Sequence, residues 1–577
     1  MSTTSQKKSP PSIFSVLTPY RGFVAFLVLV AVAMNSVSLV IPKLVSRAID
    51  AYLTHRFDPS TITIEFVAVA IGIAILTYVQ GVMQTYASER VARDLRNALT
   101  AKISNQSFAY IQEKTPSQLL TNLTSDIDAV KLFVSQAVVS LVSSAIIIIG
   151  SAILLLSIQY ELAIVVLCVL PAIGFAFAMT LARVRPLFKA SQEVIDWLNK
   201  VINESILGAA FIRVVNARKT EEGKFATVNA KAKDVSMNIL YLFAGLIPII
   251  TFVASFATLV ILFLGGHLVI GGGLSLGDFA AFNSYVGLMI FPILMLGMMS
   301  NVVARATTSY ERIIGVLNAP ETKDVGAHVA EIHGDIDVQN VTVMFGEKYA
   351  LKDVSLSIKA GTKTAILGPT AAGKTQLLYA LIGLIDPQEG SVSYDGVPMK
   401  EYEKVSFYRQ IGLVFQESIM FNVSVRENIA FAGTATEADI AKAIATAELN
   451  DFISTLPQGL DSIVSERGSS LSGGQKQRIM LARALALNPK ILFLDDFTAR
   501  VDAKTEQKIV ANIAANYPNT TIVSVTQTIA PIQAYDQIVL VMEGEILAKG
   551  THAELMQTSS EYVQMVESQQ STSAYEL

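Results

Sequence analysis

Disulfide and redox chemistry have almost no material to work with in this sequence. Among 577 residues there is one cysteine, Cys168, so no intrachain bridge can form. Its setting in "VVLCVLPAIG" reads as that of a small buried hydrophobe, not a reactive thiol. Charge is scarce too. Asp, Glu, Lys and Arg make up only 16% of the chain and sum to a net charge of -4, which excludes the basic surface a nucleic-acid partner would need. The opening "MSTTSQKKSPPSIF" lacks a charged segment followed at once by an apolar run and a small-residue cleavage site. The first apolar stretch, from about Phe23, is therefore expected to stay in the protein as a span.

In place of charge the chain carries apolar surface. It is 52% hydrophobic, with a mean hydropathy of +0.48, more than a soluble protein of this size tolerates. Long apolar stretches lie at about 23–42, 62–85, 132–157, 160–182, 240–264 and 279–304, and each can cross a hydrocarbon core that needs about 20 helical residues. Six spans are expected, within a membrane domain over residues 1–320. Between the second and third spans a polar stretch from Glu89 to Lys131 carries Arg90, Arg93, Arg96, Lys102 and Lys114. Another, from Arg183 to Asp234 between the fourth and fifth, carries Arg185, Lys189, Lys200 and Arg213 among others. The third and fourth spans are joined by only a few residues around Gln159 to Glu161. The positive-inside bias places both termini and both long connections in the cytoplasm, in a cell membrane, with Lys43, Arg47 and Arg56 as exceptions in the first outer loop. Regular apolar positions in "LRNALTAKISNQSFAYI" predict helices that run on below the membrane.

Near Pro320 the pattern changes. Short β-rich runs such as "IDVQNVTVMF", "TKTAILG", "QIGLVF", "KILFLDD" and "NTTIVSV" alternate with helical segments, which predicts an α/β domain with a parallel sheet over residues 321–577. The string "GPTAAGKT" follows the strand "TAILG" directly and precedes the helix "QLLYALIGL". Its residues are Gly368, Pro369, Thr370, Ala371, Ala372, Gly373, Lys374 and Thr375. In such a loop, backbone N–H groups at a helix N-terminus cradle phosphate, Lys374 reaches the β- and γ-phosphates, and Thr375 offers its hydroxyl to Mg²⁺. The strand "KILFLDD" delivers Asp495 and Asp496 to the ligand-binding edge of a parallel sheet, one to hold Mg²⁺ and the other to face an attacking water.

With the phosphate loop in place, "SERGSSLSGGQKQRIMLARAL" resembles the signature region of ATP-binding cassette (ABC) proteins, the signature itself being Leu471, Ser472, Gly473, Gly474 and Gln475. The resemblance covers nearly the whole chain and points to the exporter branch. It implies a six-span α-helical membrane domain, then an α/β P-loop ATPase domain with a parallel sheet, an antiparallel β subdomain and a helical signature subdomain. The stretches "TPSQLLTNLTSDIDAV" and "ESILGAAFIRVVNA" look like the cytoplasmic segments that carry force in that branch. By position Phe345 resembles the aromatic that stacks on adenine, with Tyr349 as a competitor. Gln416 resembles the glutamine that senses Mg²⁺ and the attacking water, and Asp502 the aspartate at the contact between two cassettes. The family pairs two cassettes head to tail, so Ser472, Gly473 and Gly474 would touch ATP held mainly by a second, related half-transporter.

Three positions depart from the family pattern. Asp496 stands where a catalytic glutamate is usual, Gln527 where a histidine is usual, and Ala371 replaces a glycine of the phosphate loop. Aspartate is one methylene shorter, and a misplacement of about 1 Å can cost about 10²-fold in rate. Glutamine lacks the group that becomes cationic against developing phosphoryl charge. Slow hydrolysis at this chain's own phosphate loop is expected, in a heterodimer whose second site is competent; the alternatives are a homodimeric exporter or a peptide exporter. Polar or bulky lining candidates in the spans are Asn35, Gln80, Gln84, Asn283, Phe279, Met289 and Phe291, each of which could instead pack against a neighbouring helix. The charge-poor spans point to a hydrophobic or amphipathic solute in contact with membrane lipid. A processing protease ahead of Phe23 and an added regulatory segment of the kind that would mark a channel are not expected.

Overall fold

Backbone polar groups in hydrocarbon find no water, so an apolar run satisfies them only by winding into a helix. The computed structural model describes residues 12–321, 326–465, 468–497 and 500–575. Contacts divide the chain into two compact units, Met1–Asn105 with Lys114–Pro320, and Gln106–Glu113 with Glu321–Leu577.

Among the described residues the first unit holds six helical stretches long and apolar enough to cross a membrane: Ile13–Leu53, Pro59–Ser104, Pro116–Ile158, Tyr160–Leu207, Arg218–Ile270 and Leu276–Leu317. The shortest has 41 residues, twice what a bilayer demands, because the polar continuations stay helical as their spacing predicts. Gln159, in extended conformation, is the one residue between the third and fourth stretches. Lys43, an exception to the charge bias, lies inside the first helix and pairs with Asp278 of the sixth at 2.8 Å.

Membrane-domain packing reassigns several sequence expectations. Cys168 is exposed, not buried, because a span puts apolar side chains on its outer surface as well as in its core. Met289 belongs to the core with Phe282 and Tyr285, so it lines no open surface. Asn35 is buried and bonded to Ala31 O and Ser143 Oγ, a packing role, whereas Asn283 and Phe291 are exposed. Where the third stretch takes a π-helical turn, Asn122–Asp126, the buried Asp126 accepts hydrogen bonds from Asn122 Nδ2 and from Nε and Nη2 of Arg312 on the sixth helix.

The two cytoplasmic connections are divided differently between the units. The helix ending at Ser104 caps at Asn105, and the next residues, Gln106–Glu113, pack with the second unit, Phe108 meeting Tyr379 edge-on at 5.3 Å. The "TPSQLL" string downstream stays with the first unit. In the other connection the short helix Ala209–Val214 leaves Phe211 and Val214 70% and 84% exposed.

Among the described residues the second unit contains ten strands: β1 (Ile336–Phe345), β2 (Lys348–Ile358), β3 (Lys363–Leu367), β4 (Glu389–Tyr394), β5 (Val397–Pro398), β6 (Ile411–Val414), β7 (Ile491–Asp495), β8 (Thr521–Thr526), β9 (Gln537–Met542) and β10 (Glu545–Gly550). An antiparallel sheet runs β2-β1-β4-β5, and a second sheet runs β10-β9-β3-β8-β7-β6. In the latter, β9, β3, β8, β7 and β6 are parallel and only β10 is antiparallel. Every residue of β7 and β8 is buried, as a parallel strand covered on both faces requires. The helices between β6 and β7 pack around an apolar cluster that includes Ile440, Ile479, Leu481 and Leu485 and is continuous with Leu492 and Leu494 of β7. The unit is therefore the α/β domain with antiparallel and helical subdomains that the sequence implies.

Candidate nucleotide-binding site

Parallel pairing brings four strand ends to one edge. Leu367 of β3 pairs with Thr526 of β8, Val525 of β8 with Asp495 of β7, and Leu494 of β7 with Val414 of β6. In spatial order the residues just beyond are Gly368, Gln527, Asp496 and, two past β6, Gln416.

Between β3 and the helix Lys374–Leu381 the loop turns tightly. Gly373 has φ +99°, and a Cβ there would meet Ala350 O at 2.5 Å, so only glycine fits. Ala371 has φ +65°, a left-handed backbone that an L side chain strains to adopt. Pro369, Thr370 and Ala371 are exposed, whereas Gly368, Ala372 and Lys374 are buried. Lys374 Nζ donates to Gly368 O at 2.8 Å and Pro369 O at 2.7 Å, and burial lowers its pKa against the pull of Asp496 and Asp495. The loop thus sets a cation and a turn of backbone at a helix N-terminus, the arrangement that receives phosphate.

Facing it, Thr375 donates its hydroxyl to Asp495 Oδ1 at 3.3 Å, while Asp495 Oδ2 is buried with no hydrogen-bond partner. Burial pushes the Asp495 carboxyl up to about 6, helped by the neighbouring Asp496 charge. Asp496 is half-buried, its N–H bonds Val525 O at 3.0 Å, and its φ is +47°. Burial raises its carboxyl as well, and Lys374 opposes the rise. Gln527 is exposed, and its Oε1 accepts from the Thr370 hydroxyl at 3.2 Å. Gln416 is exposed in the loop after β6. Among the described residues no group of three or more His, Cys, Asp or Glu gathers to hold a metal by itself.

The remaining sequence-derived residues are separate from this edge cluster. Phe345 and Tyr349 are both exposed; Phe345 pairs with Lys348 and Met344 with Tyr349, so the two rings leave opposite faces of the hairpin. Ser472 caps the helix Gly473–Leu485 in a capping box with Gln475: Gln475 N–H donates to Ser472 Oγ and Ser472 N–H to Gln475 Oε1. Asp502 caps the helix Ala503–Asn516 by accepting from Thr505 N–H at 3.0 Å, which holds its carboxyl below the ordinary range. Two residues the sequence reading passed over sit close by. Arg500 packs on the signature, its carbonyl 2.8 Å from where a Cβ on Gly474 would lie, and Gln569 bonds the Gln527 carbonyl. A cation inside "TARVD" was a signal for the first; no spacing signals the second.

Comparison with known proteins places both units. Residues 24–293 match the ABC transporter transmembrane region and residues 351–499 the ABC transporter cassette. The chain is 31% identical to the multidrug resistance-like ATP-binding protein MdlA of Escherichia coli over 564 residues, 96% of this chain and 94% of that protein. It is 28% identical to an ATP-dependent lipid A-core flippase of Photobacterium profundum, over 98% of this chain and 99% of the other. The structure of a bacterial Atm1-family ABC exporter with ATP bound superposes with a TM-score of 0.78 at 22% identity, covering 96% of this chain and 99% of that one, a likeness of fold. The chain belongs to the ABC transporters: it is a multi-pass membrane half-transporter that binds ATP through a fused cassette and couples ATP hydrolysis to transport.

Proposed function

We propose that this chain is the slow-site subunit of a heterodimeric exporter, holding ATP on its own phosphate loop while a related half-transporter supplies the faster site. The observation that carries the reading is the pair Asp496 and Gln527 at the sheet edge beside an intact loop of Gly368 to Thr375. Lys374 and the loop backbone bind the β- and γ-phosphates, Phe345 stacks on adenine, and Asp496 and Gln416 face the attacking water. A shorter carboxylate and a neutral amide spare binding but withhold the reach and positive charge that stabilise the transition state.

Mg²⁺ fits this set of donors. The unpartnered Oδ2 of buried Asp495 and the Thr375 hydroxyl are hard oxygen donors side by side, with Gln416 on the same edge. When bound, the ion would supply positive charge against the phosphate oxygens of the nucleotide. Asp495, Thr375 and Gln416 would hold it directly or through water.

Exposure of Phe211 and Val214 on the short helix Ala209–Val214 supports a second subunit, since one chain leaves these apolar groups uncovered. Ser472, Gly473, Gly474 and Gln475 at a helix N-terminus, with Asp502 at the start of the helix Ala503–Asn516, serve the nucleotide held by that subunit. Both termini and the cassette lie in the cytoplasm by the charge bias. The cargo is a hydrophobic or amphipathic solute, drug or lipid. Charge-poor spans support this class, as do relatives named for multidrug resistance and for a lipid A-core flippase.

Measuring ATPase activity of the membrane-reconstituted chain, alone and co-expressed with a related half-transporter, separates this reading from a homodimer. Activity only in the pair, largely kept by Asp496→Ala, is expected. Robust activity of the chain alone, abolished by Asp496→Ala, would make Asp496 the working base of a homodimeric exporter.

A further inference from the structure

The C-terminal helix Ser560–Tyr575 is seated by an apolar stripe one turn apart. Tyr562 and Val566 are buried in a cluster with Leu367 at the end of β3, Ile529 and Ile532. Gln569 follows Val566 by three residues and so shares that face. There its amide spans two backbone groups. Nε2 donates to Gln527 O at 2.7 Å, and Oε1 accepts from Ile529 N–H at 2.9 Å. The residue between them, Thr528, gives its own N–H to Thr526 Oγ1 at 3.1 Å. The chain leaving β8 is thus fastened at three successive residues, and its outward member, Gln527, meets Thr370 of the phosphate loop.

We propose that Gln569 is a positioning residue for hydrolysis at this chain's phosphate loop. It holds the backbone of residues 527–529 and so fixes where the Gln527 amide stands relative to Thr370 and the bound nucleotide. The proposal rests on the reading that Gln527 faces the transferred phosphoryl group. A primary amide suits the task because the backbone offers one acceptor and one donor, a pair that a carboxylate or an apolar side chain cannot match. The C-terminal helix becomes part of the catalytic frame, although it touches no substrate itself.

Two variants test this. Gln569→Leu removes both bonds while retaining a side chain that packs; Gln569→Glu keeps an acceptor for Ile529 N–H but sets a carboxylate against Gln527 O. In the reconstituted full-length transporter, azido-ATP photo-crosslinked to this chain after timed single turnover gives the rate at which its bound ATP becomes ADP. ATP affinity is measured on the same samples. We expect conversion about tenfold slower in Gln569→Leu, an intermediate rate in Gln569→Glu, and unchanged affinity. In a Gln527→Ala background, Gln569→Leu should add no further loss. An unchanged conversion rate, a loss of rate matched by a loss of affinity, or additive losses in the double variant would overturn the proposal. The wild-type rate decides the slow-site reading separately, because the ratio of variant to wild type judges Gln569 whatever that rate is.

Discussion

Ala371 and Asp496 share a left-handed backbone, with φ of 65° and 47°, on the two sides of the same site. For an L residue that conformation costs about 1–2 kcal/mol, less for aspartate, whose short polar side chain tolerates it. Ala371→Gly is expected to raise the melting temperature of the nucleotide-free cassette by about 2 °C; an unchanged or lowered value would mean that the loop is relaxed as it stands. Asp495 adds a pH signature. Its pKa rises on folding from 3.8 to about 6 through burial, so the folded state favours the protonated carboxyl. The associated stability is present below about pH 4 and is lost as pH climbs through about 6. Without metal or nucleotide, Asp495→Asn should therefore be more stable than wild type above pH 6, by on the order of 3 kcal/mol, and no more stable below pH 4. Chemical denaturation at both pH values checks this, and a pH-independent difference would contradict it. Ala371 was legible in the sequence as a departure from glycine, but its φ was not. Gln569 was not legible at all, because its partner lies 42 residues away across a helix and a sheet edge.

Helices meet through a few buried polar joints that periodicity does not reveal. Asp126 is only 1% exposed, and Arg312 on the sixth helix supplies its countercharge. Arg312→Ala leaves that carboxylate buried without its partner and should cost about 3–5 kcal/mol, read as a lower melting temperature of the membrane domain. Asp126→Asn in the same background should recover much of the loss, and failure to do so would show that packing of the arginine stem matters more than its charge. Apolar periodicity did indicate six spans and their long continuations, since lipid forces every apolar run into a helix. It did not show that Gln106–Glu113 belongs with the second unit, because the ring contact of Phe108 with Tyr379 is a tertiary outcome. Phe108→Ala should leave basal ATP hydrolysis in place and weaken its stimulation by transported solute; equal stimulation in the variant would remove Phe108 from the coupling route.

At the scale of the whole chain, a membrane domain and a cassette are fused in one polypeptide, and the strand order β3-β8-β7-β6 sets every residue of the proposed hydrolytic site along one edge. Order along that edge was implicit in the alternation of strands and helices, but the sequence could not tell which side chains the edge would bring into contact. Gln527 touching Thr370 is the case in point. The central claim is that this site binds ATP well and hydrolyses it slowly because of Asp496 and Gln527. The most direct test is the rate at which ATP held by this chain becomes ADP, in the reconstituted transporter carrying both Asp496→Glu and Gln527→His. The account predicts a rise of about tenfold or more with little change in ATP affinity; a rate no higher than that of the unaltered chain would contradict it.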